Sequence, residues 1–133
     1  MGEGEAVAAA ALALVGARFR LHGRDAAGGL DCIGVIAAAL RAAGWVGEVP
    51  SGYALRGGDA AAVAARFDAV LSRGDGRAAG DVLLMRVGPG QLHGAVRTAA
   101  GFVHADAGLM RVVERPGAPA WPLVGAWRFA RNT

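Results

Sequence analysis

The chain is 133 residues long, which suits one domain over residues 1–133 with a core that needs no covalent staples. Its 14 basic residues, all arginine, against 11 acidic ones leave a formal charge of +3, and the arginines are scattered rather than clustered among aromatics, which argues against a nucleic-acid partner. One cysteine excludes an internal disulfide and leaves a thiol that is either packing or chemistry.

The opening Met1-Gly2-Glu3-Gly4-Glu5 is acidic, so the apolar run Ala6–Val15 lacks the basic flank of a signal peptide. It is also too short for a membrane span, which needs about 20 apolar residues. The expectation is a protein made in the cytoplasm, without a signal peptide and without a membrane span. Alanine content, the early glutamates and Gly16 as a stop predict a first helix over Glu5–Val15, apolar nearly all round and therefore buried. Ala17–Asp25 reads as a short extended piece running into a loop that ends at Gly28-Gly29.

Asp31 is placed to cap a second helix, with Leu30 stapled to Val35 and with Ile33, Ile36 and Leu40 forming the core face, and Gly44 closes it. Cys32 falls in the first turn of that helix. There the unpaired backbone N–H groups and the dipole favour a thiolate and can hold an oxyanion. Trp45–Gly58 is a loop, rich in glycine, that contains Pro50 and the only tyrosine, Tyr53, and could line a cleft. Asp59 caps a third helix in which Val63, Phe67, Val70 and Leu71 share a face, and Gly74 ends it.

From Asp81 the period changes to short apolar runs between turn residues. Val82–Val87, Leu92–Arg97, Phe102–Ala105, Leu109–Glu114 and Val124–Ala130 predict about five strands in meander order. Helices followed by strands give an α+β fold, with helices from the N-terminal half packed on a five-stranded, mainly antiparallel sheet from the C-terminal half.

His93 and His104 fall on consecutive predicted strands. Paired residues of an antiparallel hairpin have a constant sum of residue numbers, and for these two the sum is odd. An even loop, such as two or four residues centred between Thr98 and Ala99, therefore puts both imidazoles on one face, whereas a three-residue loop without a bulge separates them. With Cys32 they supply the parts of a cysteine hydrolase: a nucleophile, a general base in His93, and in His104 a partner that holds the base in its tautomer. Taken singly, each residue has a plainer reading. Cysteine packs well as a small buried hydrophobe, and a strand histidine is often simply hydrogen-bonded. The same three side chains could in principle bind zinc, but no Cys-x-x-Cys or His-Glu-x-x-His spacing accompanies them, so no metal or other cofactor is expected.

Several stretches in order resemble the NlpC family of cell-wall cysteine peptidases, which are papain-like. Gly16-Ala17-Arg18-Phe19-Arg20-Leu21-His22-Gly23 is similar to the family's Gly-x-Pro-Tyr-x-Trp-Gly-Gly lead-in, and Leu30-Asp31-Cys32-Ile33-Gly34 resembles its Asp-Cys-Ser-Gly motif. Gly80-Asp81-Val82-Leu83, His93-Gly94-Ala95-Val96 and Phe102-Val103-His104-Ala105 resemble its Gly-Asp-Leu, His-Val-Gly-Ile and Met-Ile-His-Ala. The resemblance implies a single papain-like cysteine peptidase domain with Cys32, His93 and His104 as catalytic residues. It implies hydrolysis of the D-γ-glutamyl-diamino acid amide in peptidoglycan stem peptides through a thioacyl-enzyme.

Departures gather on the oxyanion or substrate side, where Phe19 stands in place of tyrosine, His22 in place of glycine and Ile33 beside Asp31 in place of serine. The Arg-Leu-His-Gly-Arg-Asp lead-in looks like the compact forms encoded with phage tails and gene transfer agents. That implies tail proteins as partners and delivery to the cell wall in a virion-like particle. The competing classes are a structural or assembly component of such a tail, and an amidase or acyltransferase using the same thiol.

Overall fold

The switch from helical period to alternation divides the computed structural model as it divides the sequence; the structure describes residues 2–49 and 59–129. Helix α1 covers Glu3–Ala13, and α2 covers Cys32–Ala42 with the Asp31 carboxylate accepting from the Gly34 N–H at its start. Helix α3 covers Ala60–Asp68, where the Asp59 carboxylate accepts from the Ala61 N–H. Between α1 and α2 a small antiparallel hairpin pairs β1 (Arg24–Asp25) with β2 (Gly29–Leu30).

The main sheet has six strands: β3 (Ser72–Arg73), β4 (Val82–Gly88), β5 (Gln91–Arg97), β6 (Gly101–Asp106), β7 (Arg111–Pro116) and β8 (Leu123–Arg128). Every neighbour is antiparallel and the order is β3-β8-β4-β5-β6-β7. The expected α+β arrangement is present, with two corrections. The sixth strand comes from the stretch read as the end of the third helix. That helix stops at Asp68, because Trp127 and Arg128 of β8 offer Ser72 and Arg73 ladder partners that outweigh one more helical turn. The meander holds only from β4 to β7; the last strand returns to pair with the far side of β4, Val82 facing Trp127 and Leu83 facing Ala126.

The two faces of the sheet carry separate clusters. Val82, Leu84, Val96 and Val103 pack with α1 and α2, while Leu83, Met85, Ala95, Phe102 and Ala126 pack together with Trp121 on the other side. This is the two-residue alternation of a sheet covered on both faces. Fully buried Trp127 stacks on Phe67 at 4.9 Å between centroids and donates from Nε1 to the Asp68 carboxylate at 2.8 Å, which fixes α3 to β8. Helix α1 is less buried than its composition implies. Val7, Ala8 and Ala11 face the core, while Leu12 and Val15 stay exposed, because α1 lies with one side against α2 and β5 and leaves the other open. Tyr53 and most of its loop, together with Ala130, lie outside the described residues. Among the described residues no helix is long and apolar enough to cross a membrane.

Candidate active site

The start of α2 is held by one carboxylate. Asp31 Oδ1 accepts from the Gly34 N–H at 2.8 Å and from Arg24 Nη1 at 2.7 Å, and its Oδ2 accepts from the His22 N–H at 2.9 Å. Cap, ion pair and loop tether therefore meet on a residue only 7% exposed. Gly34 lets the loop approach this closely, since a Cβ there would overlap the Gly23 carbonyl oxygen. His22 adopts a φ of 62°, and its imidazole is exposed while its N–H serves the cap. Phe19 is tied by a bridge to Leu30 and by its N–H to the Met110 carbonyl at 3.0 Å, and its ring packs on the main core. Ile33 is buried in that core.

Cys32 begins α2, only 5% exposed, with the backbone N–H of Gly94 bonding its sulfur. Why that N–H is available follows from the sheet. The Arg97 N–H is used by Asp81 on the β4 side, so alternation turns the Gly94 N–H toward β6. Pairing between β5 and β6 is confined to Val96–Val103 and Arg97–Phe102, so beyond these the strands part and the thiol lies beside the His93–Gly94 peptide. Gly94 is also where α2 crosses the sheet, and a Cβ there would press on Ile36 Cδ1 at 2.8 Å.

The helix start does not leave a thiolate at rest. Burial raises the thiol to about 11 and the Asp31 charge adds to this, outweighing the backbone N–H groups of Gly94, Ile33 and Cys32 that act the other way. The electrostatic address expected from the sequence is present, but removal from water is the larger effect.

Between the paired Arg97 and Phe102 lie four residues, Thr98 to Gly101, closed by the Thr98 N–H to the Gly101 carbonyl at 2.8 Å. This loop is even, and centred one residue later than the sequence reading placed it. His93 and His104 therefore share a face as diagonal neighbours, with Nε2 of His93 2.8 Å from Nδ1 of His104 and the rings nearly perpendicular. This is the face away from α2, so thiol and imidazoles come to the parted strands from opposite sides. Burial, and then the neighbouring His104, lower His93 to about 4, with Asp106 opposing. His104 is lowered as well, first by burial.

A groove of about 750 Å³ opens on the imidazole face, with His93, His104, Phe102, Asp106, Arg115 and Trp121 in its wall; Cys32 is not part of that wall. Trp121 lies edge-on to both imidazoles at 6.1 Å. Arg115 donates from Nε to His104 Nε2 at 3.3 Å and from Nη2 to Asp106 at 2.8 Å. These groove residues were missed by motif reading. Asp106 was accessible in principle, two residues after His104 and so on the same face, but Arg115 needed the β6–β7 register that sets it opposite Phe102. Trp121 sits in a loop with no periodicity to read. Among the described residues no group of three or more His, Cys, Asp or Glu side chains is arranged to hold a metal ion.

No family model and no curated protein matches the chain. Solved structures do match. NlpC1 from Trichomonas vaginalis superposes with a TM-score of 0.73 at 17% identity over 96% of this chain, which spans 44% of that protein's length. The NlpC/p60 domain of peptidoglycan hydrolase SagA superposes with a TM-score of 0.62 at 22% identity over 95% of this chain and 98% of that one. At this level of identity the likeness is one of architecture, and the chain has the α+β fold of NlpC/p60 domains.

Proposed function

We propose that the chain is a cysteine peptidase that cuts amide bonds in the stem peptides of peptidoglycan, with Cys32 as nucleophile, His93 as general base and His104 as the partner that orients the base. The observation that carries this is the 2.8 Å contact between the two imidazoles, together with a thiol held at a helix start beside the His93 backbone. The SagA domain, a peptidoglycan hydrolase by its description, supports the substrate class. With Cys32 raised to about 11 and His93 lowered to about 4, the resting pair at neutral pH is thiol and neutral imidazole.

The thiol proton then passes to the His93 nitrogen not engaged by His104 as sulfur attacks the carbonyl carbon. The developing oxyanion is met by the backbone N–H groups that open α2, and the imidazolium returns its proton to the leaving amine. Water subsequently cleaves the thioester, restoring thiol and imidazole. The bond we assign is that between D-γ-glutamate and the diamino acid. The Arg-Leu-His-Gly-Arg-Asp lead-in supports delivery by a phage-like tail.

The test is digestion of purified peptidoglycan by the wild type and by Cys32→Ala, with mass analysis of the released fragments. Fragments ending in D-γ-glutamate, lost in a variant with unchanged circular dichroism, are expected. Undiminished cleavage by Cys32→Ala would rule the mechanism out. A wild type that cuts nothing would favour a structural role in a tail particle, and fragments cut at a different bond would favour an amidase.

A further inference from the structure

The contacts around His104 fix where its protons sit. A guanidinium only donates, and the Arg115 Nε–H is aimed at His104 Nε2 at 3.3 Å, so that nitrogen is an acceptor and carries no hydrogen. Neutral His104 then holds its single proton on Nδ1, which faces His93 Nε2 at 2.8 Å and donates to it. His93 Nε2 is thereby the acceptor, and the one proton of neutral His93 lies on Nδ1. Two contacts in series place the His93 lone pair toward His104 and leave its remaining nitrogen already protonated, whereas a base that takes a proton from the thiol needs its lone pair on that remaining nitrogen.

We infer that Arg115 is a positioning residue that holds the histidine pair in a resting, non-basic tautomer and releases it by turning its Nε–H away from His104. The inference rests on the peptidase reading of the same site and adds its regulation. Release needs no backbone movement, because Arg115 is half exposed at the groove and its ion pair with Asp106 uses a different nitrogen, Nη2, at 2.8 Å. Once Nε withdraws, each ring keeps one proton but exchanges its place through water. His104 is then protonated on Nε2 and accepts at Nδ1, and His93 is protonated on Nε2 and presents Nδ1 as the lone pair. The groups surrounding the pair favour the locked state in the empty groove. Asp106 anchors the guanidinium and Trp121 and Phe102 cover the rings. The only other described cation on this face of β7, Arg111, lies opposite Asp106 in the ladder.

The test is nitrogen NMR of the histidine rings in the full chain at neutral pH, where the shift of each ring nitrogen reports whether it is protonated. In the wild type His93 and His104 are both expected as the Nδ1–H form. In Arg115→Met both are expected to change to the Nε2–H form, and alkylation of Cys32 by iodoacetamide is expected to quicken by about tenfold to a hundredfold, the factor that one charge-assisted hydrogen bond controls. Asp106→Asn combined with Arg115→Met keeps the local charge balanced and should behave as the single variant does. Wild-type rings in the Nε2–H form, unchanged tautomers in both variants, or switched tautomers with unchanged thiol reactivity would each overturn the inference. Ring protonation is read without any peptide being cut, so failure here is distinct from failure to hydrolyse peptidoglycan.

Discussion

His93 makes the fold sensitive to mild acid, by an amount that follows from its burial. In the unfolded chain the imidazole gains its proton near 6.5, whereas in the fold burial and the adjacent His104 delay this to about 4. Between those values the unfolded state holds more protons, so stability is lost as pH falls through that window and is fully present above it. A separation of this size corresponds to about 3 kcal/mol, a large part of the roughly 5–15 kcal/mol that holds a domain together. The perturbation is His93→Gln, which does not titrate and can still bond His104 through its amide.

Urea unfolding midpoints, measured for both proteins at about pH 7.5 and at about pH 4 with the slope held common, give the comparison. The wild type is expected to lose about 3 kcal/mol more than the variant over that interval. His104 is shifted in the same direction and is present in both proteins, so the difference between them reports the imidazole at position 93. The carboxylates of Asp68, Asp75 and Asp106, held below their ordinary value by hydrogen bonds and arginine partners, also act in both, mainly at lower pH. Equal acid sensitivity in the two proteins would refute the claim that His93 is buried as a neutral ring.

Substitutions at two positions and one loop insertion probe the frame of the site. Asp31→Ala removes a helix cap and leaves the His22 N–H and Arg24 without their acceptor, and thermal unfolding should show a loss of about 2–4 kcal/mol, with Asp31→Asn falling between it and the wild type. Gly34→Ala reverses the usual sign. Alanine normally improves a helix by about 1 kcal/mol, but here its methyl would displace the Gly23 carbonyl, so a net loss of about 1–3 kcal/mol is expected in the same assay. One glycine inserted between Ala99 and Ala100 lengthens the loop outside the ladder and, with the Arg97–Phe102 pairing kept, leaves both imidazoles on one face, so the ring-to-ring hydrogen bond should persist in NMR spectra.

The helices, the cap at Asp31, the change of period at Asp81 and the side-by-side histidines were legible because each depends on local rules: a side chain that bonds three residues on, a repeat of two or of 3.6, the parity of a hairpin loop. What escaped depends on partners far away in sequence. Ser72 and Arg73 have no strand character of their own and become β3 because β8 is beside them. Arg115 joins His104 only through a register that sequence pattern cannot fix. The thiol's raised value was hidden for the same reason. The helix start can be read from Asp31 and Gly34, but the removal of Cys32 from water comes from its packing against β5, where the Gly94 N–H meets the sulfur.

The place of β8 in the sheet sets an order of events for the folding chain. Val82 of β4 faces Trp127, 45 positions later, while its other neighbour Val96 is only 14 away. The hairpins from β4 to β7 can form as soon as they are made, but until Leu123–Arg128 arrives β4 is an open edge, and α3 lacks Trp127 to rest on. A half-made chain therefore displays a long, apolar, unpaired strand, the type of edge that recruits other chains. Translation speed over the Arg115–Pro122 stretch thus bears on yield, and a pause there should raise the share lost to aggregation.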